Sequence, residues 1–489
     1  MTAHPTTASA GDTELTARRR RIILGTCCLS LFIVGIDVSA VNVALPSISR
    51  ELGASPSQLQ WVIDAYTLVI AALLTLGGSL GDRLGRKRVF QIGLLVFGTG
   101  SILCSLAPNP EILIAARMVQ AVGGSMLNPV AMSIITNVFT DPKERAQAIG
   151  MWAAAVGVSM ALGPVVGGAL VAGIGWEAIF WLNVPVCLLA IVLTARYVPE
   201  SRAERVRRAD PVGQVLMLVF LATLTYGIIE GRGLGWTSSR VLTCFAIAAC
   251  AVTVLIWFES RRRDPLLDPR FFRSAPFSSA VVTAVILFAA TGGFLFLNTL
   301  YLQETRGMSP LAAGAMTLPM AVASAVFAPF AGRLVATRGA RTPMAIGGIA
   351  ILVSGLMLIW VANDTSFWYI GVAYMFFGIG SGLVNAPITN AAVSGMPRSQ
   401  AGLAASMTST GRQVGTSLGV AVFGTIAFAG ISGSLAHDLA AASRPAWMIM
   451  AAAGLAVTVL AMIAHSAWGA ATATRTRELI EAETGETMA

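Results

Sequence analysis

Apolar residues run along this chain in blocks about twenty long, divided by short polar segments, from Ile22 almost to the C-terminus. Each block can cross a hydrocarbon core about 30 Å thick at a rise of about 1.5 Å per residue. The blocks are continuous rather than alternating, so they predict helices, which satisfy their own backbone hydrogen bonds in lipid, and not barrel strands. The pattern places spans near 22–44, 58–80, 89–107, 112–137, 147–171, 178–196, 212–229, 241–258, 277–298, 311–331, 343–361, 367–390, 402–428 and 446–465, fourteen crossings in all.

Composition narrows the class. Of 489 residues, 55% are hydrophobic and 12% charged, where a soluble domain carries about 25% charge; the mean hydropathy is +0.74. The first apolar block is too long for a cleavable signal, and no small-residue cleavage pattern follows it. Cys27, Cys28, Cys104, Cys187, Cys244 and Cys250 lie inside apolar blocks without ligand spacing, which predicts packing thiols and neither disulfides nor a metal site.

A net charge of +9 raises nucleic acid as a partner, but the basic residues fall in alternate loops. One set holds Arg18 to Arg21, Arg83 to Arg88, Lys143 and Arg145, Arg196 to Arg208, Arg261 to Arg273, Arg333 to Arg341, Arg398, and Arg475 with Arg477. The other holds only Arg50, Arg232, Arg240, Arg306 and Arg444, while Arg117 and Arg412 lie within spans. By the positive-inside rule both termini are then cytoplasmic, in the inner (plasma) membrane of a bacterium, with no nucleic-acid partner.

The segment Gly78-Ser-Leu-Gly-Asp-Arg-Leu-Gly-Arg-Lys-Arg88 after span 2 has an echo, Gly332-Arg-Leu-Val-Ala-Thr-Arg-Gly-Ala-Arg341, after span 10. Two six-helix halves would put the echo six spans later; it comes eight later, so two helices are inserted between the halves. The predicted organisation is a tail over 1–21, a six-helix bundle over 22–198, a linker with two inserted helices over 199–276, a second six-helix bundle over 277–465 and a tail over 466–489.

Several segments carry a resemblance. Span 1 reads Ile36-Asp-Val-Ser-Ala-Val-Asn-Val-Ala-Leu-Pro46, span 4 contains Arg117-Met-Val-Gln-Ala-Val-Gly-Gly-Ser125, and span 5 has Gly157 followed by Gly163-Pro-Val-Val-Gly-Gly168. Trp176 to Pro185, Tyr301-Leu-Gln303 and Arg412-Gln-Val-Gly415 add to them. Together with the loop Gly78 to Arg88, the chain resembles the major facilitator superfamily and, within it, the fourteen-spanner drug:proton antiporter branch, often termed EmrB/QacA-like. The resemblance implies the major facilitator fold and antiport, with Asp37 and Asn42 in the first-helix motif, and Gly157, Gly163, Pro164, Gly167 and Gly168 as the glycine-proline motif of antiporters.

Buried charge points to transport on physical grounds, because an acid at the bilayer centre costs about 2.5 to 3.5 kcal/mol and is rarely idle. Asp37 and Asp64 each lie about 10 Å inside the outer ends of antiparallel spans 1 and 2, and Arg117 of span 4 lies within one turn of that depth. An antiporter needs a carboxyl that holds either a proton or a substrate; Asp37 is the first candidate and Asp64 the second, with a fixed pair between Asp37 and Arg117 as the structural alternative. Arg412, isolated from acids in sequence, is a candidate for substrate contact or gating. Gly78, Asp82, Arg83, Gly85, Arg86 and Arg88 suit a conformational latch, its arginines pairing with acids across the gap between helices and its glycines serving two bends. Spans 9 to 14 contain no membrane-centred acid, which argues against divalent cations as cargo.

An enzyme is disfavoured: His4, His437 and His465 accompany no nucleophile or metal constellation. No phosphate-binding loop indicates ATP drive, so the proton gradient is the expected energy source and no cofactor is expected. The expected function is export of hydrophobic, monocationic or neutral compounds by a monomer amid membrane lipids. The rivals are export of an endogenous lipid, amino acid or self-made antibiotic and, from a different class, a membrane receptor or sensor.

Overall fold

The computed structural model describes residues 16–202, 210–262, 268–394, 396 and 400–484. His4 and the loop residues Arg205, Arg207, Arg208, Arg263 and Arg398 lie outside them. Among the described residues the chain is helical, without strands.

Helices α1 (Ala17–Leu52), α2 (Pro56–Leu84), α3 (Arg86–Ser105), α4 (Pro110–Val138), α5 (Pro142–Gly173) and α6 (Glu177–Tyr197) form the first half. In it α1 packs on α5 and α6, α2 on α4, and α3 on α4 and α6. A hairpin of α7 (Pro211–Leu234) and α8 (Ser239–Glu259) follows. The second half runs through α9 (Ala275–Leu300), extended by a π-helical turn over Tyr301–Thr305, then α10 (Pro310–Met316), α11 (Leu318–Arg338) and α12 (Arg341–Ile359). It ends with α13 (Phe367–Ser394), α14 (Ala401–Ala429), α15 (Leu435–Ala442) and α16 (Arg444–Ala464), where α9 packs on α14, α12 on α16, and α11 and α12 on α13. A further helix, α17 (Ala467–Thr484), lies in the segment read as a tail; it buries Ile480, and its Thr472 hydroxyl accepts the Ala275 N–H at 3.0 Å.

Helix starts follow local chemistry. Ser55, Asn109, Asp141, Asp210, Ser238 and Ser309 each accept a first-turn backbone N–H. Proline follows all of them but Ser238, where its missing N–H costs nothing. Gly53, at φ 66°, closes α1 in the left-handed conformation.

Twelve helices among the described residues are long and apolar enough to cross a membrane, against fourteen read from the sequence. The difference falls on predicted spans 5 and 13, where the chain forms α5 and α14. The first half of α14 is rich in Ser, Thr and Gly and contains Arg412, while α5 includes residues whose surroundings are not described, so that Val158–Gly173 alone counts as its apolar helix.

Among the described residues, hydrogen bonds between the halves gather at the end where α1 finishes and α2 begins. Gln60 donates to the carbonyls of Val420 at 3.0 Å and Ala421 at 3.1 Å, and Gln303 donates to that of Val43 at 2.8 Å. Arg50 pairs with Glu304 at 3.1 Å. At the opposite end, bonds from Arg19 to Tyr197, Lys87 to Ala195 and Ala275 to Thr472 stay within one half. The α7–α8 hairpin rests on the seam between α2 and α14: the Thr425 hydroxyl donates to the Ile228 carbonyl, and the Trp61 indole N–H to Glu230, both at 3.1 Å.

Candidate functional site

Asp37 of α1 is fully buried and makes an ion pair of 2.6 Å with Arg117 of α4, itself 1% exposed. The pair sits in a shell of donors. Gln120 Nε2 and Asn183 Nδ2 both donate to Asp37 Oδ1 at 2.9 Å, and both reach the Ser101 hydroxyl, at 2.8 and 3.1 Å. Arg117 also donates to Gln120 Oε1 at 2.6 Å and to the Val62 carbonyl at 3.2 Å, and its guanidinium lies 4.1 Å above the Tyr66 ring. A carboxylate with a guanidinium and two amide donors has what a buried charge needs, so the ion pair ties α1, α4 and α6 together, with α3 joined through Ser101.

Asp64 lies at a similar depth on another face of α2. Val62 and Tyr66 meet Arg117, and Asp64, about 200° around the helix from each of them, points elsewhere. The three groups therefore do not form one cluster, although their depths in the sequence agree. Asp64 is fully buried and neither carboxyl oxygen has a hydrogen-bond partner among the described residues. Ser417 of α14 faces it across the seam, without a hydrogen bond of ordinary geometry.

Asn42 spends its amide on the Val38 carbonyl of its own helix at 3.0 Å, and its Oδ1 is buried without a partner. Arg412 donates from Nη2 to the Thr389 hydroxyl at 2.8 Å and to the Asn385 carbonyl at 3.4 Å, with the Phe288 ring 5.6 Å away.

Two ion pairs of the predicted latch join neighbouring elements: α3 to α2, and α3 to the segment that follows α6. Arg86 pairs with Asp82 at 3.1 Å, one turn away, and Arg88 approaches Glu200 at 3.8 Å. Arg83 is exposed, and Gly78 packs against Pro129. Gly85 turns the chain at φ 110°, and a Cβ there would meet the Glu200 carboxyl, whose Oε1 accepts the Lys87 N–H.

In α5, a Cβ on Gly163 would strike Ser39 and one on Gly167 would strike Ala40, so their absence lets α1 lie close. Gly168 faces Pro310 of α10 in the same way, and Gly314 faces the Pro164 carbonyl, which brings the two halves together. Gly157 lies outside the residues whose surroundings are described. Gln120 and Asn183 were carried inside motifs without a role of their own; Ser101 and Ser417 had no sequence signal, since their partners are remote in the chain.

Two helical halves joined at one end, with ionisable groups buried between and within them, are the architecture of a two-bundle membrane transporter. The family model of the Major Facilitator Superfamily matches residues 27–420, and the chain belongs to that superfamily. It is a multi-pass protein of the bacterial plasma membrane. It is 36% identical over 411 residues to the multidrug resistance protein Stp of Mycobacterium tuberculosis, covering 84% of this chain and 76% of that protein. It is 34% identical over 429 residues to the methylenomycin A resistance protein of Streptomyces coelicolor, covering 86% and 89%. A crystal structure of the peptide transporter POT in complex with sulfate superposes with a TM-score of 0.66 over 94% of this chain and 95% of that one, at 16% identity, a likeness of fold alone.

Proposed function

We propose that this protein is a proton-driven exporter of hydrophobic drug-like compounds, of the fourteen-span antiporter branch, with α5 and α14 as its remaining crossings, both termini cytoplasmic and no cofactor. The resistance functions named for Stp and the methylenomycin A protein support efflux. The basic loops support the orientation, under which the joined end faces outward and the separate ends face the cytoplasm.

The observation that carries proton coupling is Asp64, buried at the seam with both oxygens unbonded. An ionised carboxyl there would lack every donor it needs, whereas the neutral acid needs far less, so a proton suits this side chain in the outward-closed state. Separation of α2 from α14 would wet it and release the proton, and Asp37, held by Arg117, keeps its partner meanwhile. Asp64 thus takes the carrier role, and the Asp37–Arg117 pair holds the first half rigid while the halves rock.

The test is proton release from acidified everted vesicles on addition of a panel of lipophilic cations, lipophilic acids and neutral antibiotics. Substrate-induced release in the wild type, abolished by Asp64→Asn at equal membrane abundance, is the expected result. Release that persists in Asp64→Asn removes the carrier assignment, and a panel that moves no protons removes the antiport reading.

A further inference from the structure

We propose that Arg412 anchors a binding site for the carboxylate of an amphipathic, aromatic cargo. Arg412 enters the membrane about eleven residues, roughly 16 Å, along α14. Among the described residues its two hydrogen bonds go to neutral acceptors, the Thr389 hydroxyl and the Asn385 carbonyl, and its Nε is buried without a partner. No acidic side chain pairs with it among the described residues. A guanidinium offers five donors in a planar fork, and an unbalanced charge at that depth is costly unless something supplies the complement.

The neighbouring surface says where the complement comes from. On α13, Asn385 and Asn390 are exposed and Thr389 is half-buried, in a helix that is otherwise apolar. Exposed amides at membrane depth belong beside a wet cleft and not against acyl chains. The cleft wall therefore presents a half-buried cation whose Nη1 makes no hydrogen bond among the described residues and, unlike Nε, is not enclosed, together with neutral polar neighbours and the Phe288 ring. A carboxylate can take an Nη1–H of the guanidinium, and an aromatic body can lie against Phe288. A lipid headgroup is the other source of such an anion, and one that filled the site would leave no naphthoate binding in the phosphatidylcholine discs. A cationic cargo would meet like charge here, which reverses the monocationic expectation.

This inference rests on the export reading for the direction of transport but not for the site itself. The test is equilibrium dialysis of 2-naphthoate, 2-naphthamide and 2-naphthylmethylammonium against the purified full chain in phosphatidylcholine nanodiscs, with empty discs subtracted. The wild type is expected to bind naphthoate at least about tenfold more tightly than the ammonium, as one charge-assisted contact allows. Arg412→Gln is expected to weaken naphthoate about 10- to 100-fold and the amide less than about threefold. Arg412→Lys, which keeps the charge but not the fork, is expected to keep the order of the three ligands, and it decides the matter if the glutamine variant does not fold. Equal or tighter binding of the ammonium by the wild type, an equal loss of all three ligands in Arg412→Gln, a lost order in Arg412→Lys, or no naphthoate binding at all overturns the proposal. No proton gradient is present, so failure here with proton release intact in vesicles removes only this inference, and success here without proton release removes only the export reading.

Discussion

Each half of the protein places one arginine inside a helix, Arg117 fully buried and Arg412 half-buried, and the two are treated in opposite ways. Arg117 lies in a closed shell: Asp37, Gln120, the Val62 carbonyl and the Tyr66 ring together satisfy it. Arg412 has two neutral acceptors, an aromatic edge and an unbonded Nε. The halves also differ where their first and fourth helices meet. In the first half α1 and α4 exchange an ion pair; in the second, α9 and α13 are joined by a neutral bond of 2.5 Å from the Tyr374 hydroxyl to Asn298 Oδ1. Charge that is fully partnered fixes geometry, while Arg412 and Asp64 keep hydrogen-bonding capacity unused among the described residues, the capacity that the proposed ligand and the proposed proton would take up.

The largest expected effect breaks that contrast directly. Asp37→Asn leaves the Arg117 guanidinium buried without its counter-ion, and removal of one partner of a buried pair costs about 3 to 5 kcal/mol. Asp37→Asn combined with Arg117→Gln is expected to recover much of that loss, because no uncompensated charge remains. Arg412→Gln leaves no stranded charge and is expected to change stability by less than about 1 kcal/mol. Thermal unfolding midpoints in one detergent check all three. An Arg412→Gln loss as large as that of Asp37→Asn would mean that Arg412 is structural as well.

A smaller effect is expected where the halves touch. Gly168 and Gly314 allow α5 and α10 to meet, so Gly314→Val places a branched side chain against the Pro164 backbone. Overpacking of this kind costs about 1 to 3 kcal/mol, and here it acts on the joined state more than on the fold of either half. Spin-label distances between the outer ends of α2 and α14 should lengthen in Gly314→Val. Gly163→Ala, whose Cβ meets Ser39 within the first half, should lower the unfolding midpoint without lengthening that distance. Unchanged distances in Gly314→Val would show that this contact does not hold the outer end shut.

Much of this arrangement was legible in the sequence because it rests on local pattern. Apolar block length gave the helices. Asp37 and Arg117 stood out because charge inside an apolar block is rare. What the sequence could not show is angular: Asp64 and Tyr66 are two residues apart, yet one faces α14 and the other lies beneath Arg117, a distinction set by how α2 is rotated in the bundle. The partners Ser101, Asn183 and Ser417 are remote in the chain from the acids they face, and small polar residues are common in membrane helices, so only packing singles them out. The α14 block is interrupted by glycine, serine and threonine around Arg412, which weakens the apolar signal where a polar wall is built.

The smallest effect is expected at the exposed counterpart of the buried pair. Arg50 and Glu304 bridge the halves at 3.1 Å, but the Arg50 side chain is 58% exposed and that of Glu304 27%. Water and salt screen such a pair, and exposed ion pairs contribute about 0 to 1 kcal/mol. The buried donations from Gln60 to the Val420 and Ala421 carbonyls and from Gln303 to the Val43 carbonyl remain when this pair is lost, and no charge is stranded away from water. Glu304→Gln should therefore leave the α2–α14 outer distance unchanged and lower the unfolding midpoint only slightly, with the difference vanishing in high salt. A shift comparable to that of Asp37→Asn would show that exposure does not separate the two pairs, and that the outer end is held by charge rather than by buried bonds to the backbone.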